Sequence, residues 1–195
     1  MAHVFPEEIL FAAHALRRGE IIAYPTETFY GLAVNALDEL ALARLRQVKG
    51  RGDKAISVLV LGDGMVDRLC RSVPAAARKL MARHWPGPLT IALPARRGIP
   101  APLISDGCVA IRESPHPTAR ALIEVFGGPI TATSANPAGV DPPCTPEAVE
   151  ELFEGRIRVL HAGATPGGAP STLVRVRGNR VEVLRQGALV LTDDE

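Results

Sequence analysis

The chain has 195 residues, 47% of them hydrophobic and 22% charged, with a formal net charge of +1. That length and composition suit one soluble globular domain with a real core, and the near-neutral charge excludes a strongly basic protein that coats nucleic acid without selectivity. No stretch approaches the ~20 unbroken apolar residues of a membrane-spanning helix, and the scattered Cys70, Cys108 and Cys144, without CxxC spacing, exclude a disulfide framework or a structural zinc site.

In chain order, MAHVFPEEIL carries acids where a secretory signal carries bases, which reads as a cytoplasmic protein. PEEILFAAHALRRGE then has Pro first, acids in its first turn, bases near its end and helical apolar spacing, the charge order that suits a helix dipole. IIAYP predicts a short buried strand stopped by Pro25. DELALARLRQVKG predicts a helix with Asp38 as N-cap and Gly50 just past its end. AISVLVLG predicts a strand, PAAARKLMARH a helix, and LTIALPA and CVAIRE strands. PTARALIEVFG is a helix opened by Pro117, PITAT a strand, and TPEAVEELFEG a helix capped by Thr145. STLVRVRG and VEVLRQG close the chain as a hairpin turning at Gly178-Asn179. Helices and strands interleave without strict alternation, which predicts an α/β fold with a mixed sheet. PTETFYG, KGRGDK, TSANPAG and GATPGGAPS are left as connections, and function gathers on such loops.

Charge usage picks out one of them. The chain has three lysines against nineteen arginines, and Lys49 and Lys54 lie on either side of Arg51 in KGRGDK. Arginine offers a planar two-pronged donor and lysine a compact point charge, so a loop using both suits a polyphosphate; a solvated basic surface explains the same residues. No GxxxxGK[ST] pattern occurs, so this is not a P-loop. In YPTETFYGL, Thr26 and Thr28 flank Glu27, a pair of hydroxyls and a carboxylate that suits an amino acid's ammonium and polar side chain, or a capped turn. In ITATSANPAG, Ser134 and Asn136 are two residues apart and face one side in extended chain; they suit phosphate or ribose, or an Asx turn before Pro137. Arg112 and Arg185 each end an apolar strand and suit anions, His116 precedes a proline, and Ser171-Thr172 starts a strand.

Together these segments resemble the YrdC family, whose shared signature is Lys-x-Arg followed later by Ser-x-Asn. Lys49-Gly50-Arg51 and Ser134-Ala135-Asn136 match it, as do YPTETFYGL, WPGPLT at 85–90, Arg112 with His116, Gly139 after TSAN, Ser171-Thr172 and the terminal LRQG. The match runs in order from about residue 7 to 190. Three positions depart from it: Gly52-Asp53-Lys54 is shorter than in many relatives, Leu59 stands where longer members can carry a His, and Ala138 replaces a common Ser.

The resemblance implies a YrdC-like mixed parallel and antiparallel sheet flanked by helices around a deep, positively charged cavity, here as one domain over residues 1–195 in the short form. It implies L-threonylcarbamoyladenylate synthesis: L-threonine, bicarbonate or CO2, and ATP give threonylcarbamoyl-AMP and pyrophosphate, for tRNA threonylcarbamoyladenosine modification. Residue by residue it implies Lys49, Arg51, Ser134 and Asn136 as catalytic. Lys49, Arg51, Lys54, Arg112, Asn136, Cys144 and Arg185 would hold ATP, and Thr26, Thr28, His116, Ser134 and Ser171 threonine. Mg2+ would accompany ATP, with no protein metal site. Expected partners are tRNA and a downstream threonylcarbamoyl-transferase complex, and no membrane. The alternative is an RNA- or tRNA-binding module of the same fold without adenylate-forming activity, which predicts binding that collapses with salt and no need for ATP or threonine.

Overall fold

The computed structural model of the chain describes residues 6–50 and 54–192. Six helices and eleven strands follow in the order α1 (Pro6–Arg17), β1 (Ile22–Pro25), β2 (Tyr30–Ala33), α2 (Glu39–Lys49), β3 (Val58–Leu59), α3 (Asp63–Leu69), α4 (Ala75–His84), β4 (Leu89–Pro94), β5 (Ile104–Ser105), β6 (Cys108–Arg112), α5 (Pro117–Phe126), β7 (Ile130–Thr131), β8 (Thr133–Ser134), α6 (Pro146–Leu152), β9 (Arg158–Val159), β10 (Thr172–Arg177) and β11 (Arg180–Arg185). They make two sheets. One has the order β8-β2-β1-β9; the other runs β11-β10-β4-β6-β3-β7, with β5 paired to β6 alongside. Pairs β1/β9, β4/β10 and β3/β6 are parallel and the rest antiparallel, the mixed α/β architecture that the sequence predicts.

Alternation along β1 shows where the core sits. Successive strand side chains face opposite ways, and Ala23 packs into the main core while Ile22 and Tyr24 join a second cluster with Leu16 of α1 and Leu122 of α5. All four residues of β1 are buried because both of its faces are covered. Ala12, Ala13 and Ala15, all fully buried, leave room for α1 to lie against α5.

The segment 130–134 joins the two sheets. PITAT, residues 129–133, is expected as one strand, but Ile130–Thr131 pairs with β3 in one sheet and Thr133–Ser134 with β2 in the other. Thr131 makes the change possible by accepting and donating on every side. Its hydroxyl donates to the Leu32 carbonyl (2.8 Å) and accepts from the Val34 amide (3.0 Å), while its carbonyl accepts from the Tyr24 hydroxyl (2.9 Å). The Ala132 amide donates to the Ser57 carbonyl at 2.7 Å. The split delivers Ser134 and Asn136 to the space between the sheets.

Other elements differ from expectation for local reasons. The predicted strand at 55–62 keeps only Val58–Leu59 in a ladder; on one side the Ile56 amide donates to the Pro102 carbonyl, outside the sheet, and on the other the Val60 amide donates to the carbonyl of Arg112 at the end of β6. Helix α3 was not expected: Gly62 and Gly64 hide its start, and no side chain caps it. Tyr30–Ala33, whose first two residues belong to the expected connection PTETFYG, pairs antiparallel with β1 across the turn Thr26–Phe29. Among the described residues no helix is long and apolar enough to cross a membrane.

Candidate active site

The end of α2 shows how the sequence places its most informative lysine. Asp38 caps the helix start, its carboxylate accepting from the amides of Leu40 (2.9 Å) and Ala41 (3.1 Å). Gly50 ends it in the left-handed conformation, φ 55°. Lys49 therefore sits on the last turn, and only 4% of it is exposed. Its Nζ donates to the Ser134 carbonyl (2.6 Å) and to Oδ1 of Asn136 (3.2 Å), and its own carbonyl accepts from the Ala138 amide (2.9 Å). The Ser134 hydroxyl donates to the same Asn136 oxygen at 2.5 Å, and Nδ2 of Asn136 donates to the Val140 carbonyl. The two ends of the sequence signature, 85 residues apart, are thus one hydrogen-bonded cluster. The chain bends after Ser134 rather than running extended, the Asn136 amide donating to the Ser134 carbonyl at 2.9 Å, and it is this bend that brings the two side chains together.

Ser134 also lines a cavity of about 170 Å³ between the sheets. From the first sheet come Thr26, Thr28, Tyr30 and Thr133; from the second come Thr90, Arg112, Ser171 and Arg185. No carboxylate is among the described lining residues, so hydroxyls and two guanidinium groups set its polarity. Thr26 locks the turn that carries Thr28: its hydroxyl donates to the Phe29 carbonyl (2.8 Å), accepts from the Thr28 amide (3.2 Å) and lies 3.1 Å from the Thr28 hydroxyl. Ser171 and Thr90 share a hydrogen bond of 2.8 Å. Nη2 of Arg185 donates to the Ser171 carbonyl at 2.8 Å. A bulge between Leu173 and Val174 shifts the hairpin register just where Leu173 faces Arg185, the kind of irregularity that re-aims a side chain. Burial, and then the charge of Arg112, pulls the Arg185 pKa down from its usual value.

The closing LRQG segment holds the Ser171 wall. A Cβ on Gly187 would lie 2.2 Å from the Pro170 carbonyl oxygen and 2.6 Å from the Ser171 carbonyl carbon, so only glycine permits the crossing. Here the Thr172 hydroxyl accepts from the amides of Gly187 (3.0 Å) and Leu189 (3.1 Å).

Several expected site residues lie apart from this cavity. Nδ1 of His116 accepts from the Thr118 amide (3.3 Å) and caps α5, and the residue is not among the lining ones. Burial lowers its pKa, against the opposing charge of Glu27. Lys54 is exposed and borders a neighbouring groove of about 500 Å³, floored by Ala92, Ala110 and Leu173, which meets the cavity at Ala55 and Ser57. Cys144 lies beneath the loop 163–168: Thr165 donates to its carbonyl, and a Cβ on Gly167 would come within 2.9 Å of its sulfur. Arg51 lies outside the described residues. The Glu27 carboxylate, read from sequence as suiting an ammonium ion, is instead engaged by Arg112 and Ser114 behind the wall. Thr90 and Ser57 line the cavity although sequence reasoning passed over them; the only available signal for Thr90 was its place in WPGPLT.

Comparison with known proteins bears on the family and the fold. The family model Sua5_yciO_yrdC, described as telomere recombination, matches residues 14–187. The chain is 38% identical over 192 residues to a threonylcarbamoyl-AMP synthase of Pyrococcus abyssi, covering 96% of this chain and 56% of that protein. It is 35% identical over 173 residues to a threonylcarbamoyl-AMP synthase of Halorhodospira halophila, covering 87% and 90%. The crystal structure of P. abyssi Sua5 complexed with L-threonine superposes with a TM-score of 0.90 at 37% identity, over 96% of this chain and 56% of that one. The chain thus spans little more than half of the Pyrococcus protein and nearly all of the Halorhodospira one.

Proposed function

The chain belongs to the Sua5, YciO and YrdC family, and on that footing we propose that it is a threonylcarbamoyl-AMP synthase, joining L-threonine, bicarbonate or CO2, and ATP with release of pyrophosphate, and of water when bicarbonate is the carbon source. The observation that carries the reading is the Lys49–Ser134–Asn136 cluster beside a cavity walled by hydroxyls and guanidinium groups. That supplies point charge and oriented donors next to a pocket for a small polar zwitterion.

In this mechanism the threonine amine adds to CO2 and loses a proton, giving a carbamate anion. A carbamate oxygen attacks the α-phosphorus of ATP, the bond from that phosphorus to the bridging oxygen breaks, and pyrophosphate leaves. The nucleophile is already anionic, so no strong base is needed at the second step. The barrier is repulsion between anions, and fixed cations lower it without reorganising during reaction. Lys49 and Arg51 would face the triphosphate, with Arg112 and Arg185 completing the ring of positive charge. Ser134 and Asn136 would orient nucleotide and carbamate together. Thr28, Thr26 and Ser171 suit the threonine hydroxyl and carboxylate, and His116 would act on threonine from outside the lining of the cavity. Lys54, at the rim of the groove beyond Ala55 and Ser57, and Cys144 would contact the rest of the nucleotide. Mg2+ enters as the counter-ion of ATP; among the described residues no three His, Cys, Asp or Glu side chains gather to hold a metal ion. The product is a reactive mixed anhydride, so its use on tRNA calls for a transferase complex that accepts it promptly.

The test is pyrophosphate release by the purified chain. It should require threonine and bicarbonate together; release without threonine, or none at all, overturns the assignment.

A further inference from the structure

We propose that Glu27 is a positioning residue for Arg112: its carboxylate, set behind the cavity wall, fixes the guanidinium that faces the anionic reactant. What the cavity binds rests on the functional reading above, but the geometry does not. Arg112 and Glu27 side chains are 8% and 14% exposed. Nη1 of Arg112 donates to one carboxylate oxygen, and the Ser114 hydroxyl donates to the other at 2.5 Å. Ser114 also accepts from the His116 amide at 3.2 Å. One carboxylate therefore ties the end of β6 and the turn into α5 to the turn between β1 and β2, and so links the two sheets across the site.

Two other roles are excluded by the same contacts. Glu27 is absent from the lining of the cavity and its charge is already matched by Arg112, so it is not placed to receive a substrate ammonium or to take a proton from one. Its negative charge instead sits beside a buried guanidinium, and such a cation keeps one orientation only when a matched acceptor holds it. Arg112 and Arg185 both line the cavity, and the Glu27 charge offsets their repulsion while no anion is bound.

The experiment pairs spectroscopy with a double-mutant cycle. In the wild-type protein the Arg112 guanidinium protons, assigned by through-bond correlation from the Arg112 backbone, should give separate, slowly exchanging nitrogen-15 correlated signals. In Glu27→Gln they should average. Averaged signals in the wild type overturn the proposal whether or not any variant folds, and also if the synthase reading fails for want of activity. In kinetics, Glu27→Gln should lower kcat/KM about 100-fold, the scale of a small misplacement of a reacting group, with partial recovery in Glu27→Asp. In an Arg112→Ala background the same Glu27→Gln change should cost less than twofold, because the group it positions is gone. An equal loss in both backgrounds, or a rise in kcat/KM on removing the carboxylate, overturns the proposal.

Discussion

Lys49→Met separates the catalytic from the structural share of the buried ammonium. The change keeps most of the aliphatic stem and deletes the group that donates at 2.6 Å to the Ser134 carbonyl and at 3.2 Å to Asn136. Hydrogen bonds to a charged group contribute about 1.5–3 kcal/mol each. Against them stands the cost of holding an ammonium that is 4% exposed, itself several kcal/mol. The two nearly cancel, and a net loss within about 2 kcal/mol lowers the thermal midpoint by no more than roughly 8 °C for a domain of this size. Activity has no such cancellation. A preorganised donor facing developing or transferred charge contributes a factor of about 10²–10³ to the rate. Initial rates of threonine-dependent pyrophosphate release, beside thermal melts of the same preparations, read both quantities. A rate within threefold of wild type refutes the proposed role. A midpoint drop far beyond 8 °C shows the lysine to be mainly structural.

Two further perturbations act on the same walls. Gly187→Ala forces a Cβ onto the Pro170 and Ser171 backbone; overpacking of this kind costs about 1–3 kcal/mol, so melts should show a loss of roughly 3–10 °C, and an unchanged midpoint would contradict the close crossing. His116 gives a pH signature. Its folded pKa lies below the unfolded value because of burial, so as pH falls through about 6.5 the unfolded chain takes up the proton first. Stability should decline with acidification in that window and level off below the folded pKa. His116→Asn keeps a capping oxygen without the titration and should flatten the decline in urea titrations run from pH 8 to 5; parallel curves would refute the assignment.

Local signals carried most of the fold. Asp38 and Gly50 bracket α2, Pro117 and Thr145 open α5 and α6, and Gly178 turns the last hairpin, because caps and tight turns depend on a few adjacent residues. What local pattern does not hold is pairing at a distance. The change of sheet at Ala132 depends on Thr131 reaching Leu32, Val34 and Tyr24 about a hundred residues away, and no property of PITAT alone announces it. The site divides in the same way. Lys49 and Asn136 stand out as rare residue types and Ser134 by its spacing from Asn136, whereas Thr90 looks like any strand threonine until the start of β10 brings Ser171 within 2.8 Å of it. Glu27 was visible as the acid between two threonines, but its partner Arg112 is 85 residues away, so its task was not.

The measurement that bears most directly on the whole account is mass spectrometry of the product formed from ATP, L-threonine and carbon-13 bicarbonate. The account predicts an adenylate carrying both threonine and one labelled carbon, one mass unit heavier than with ordinary bicarbonate. A threonine adenylate without the label, or AMP and pyrophosphate formed with no adduct, would contradict it.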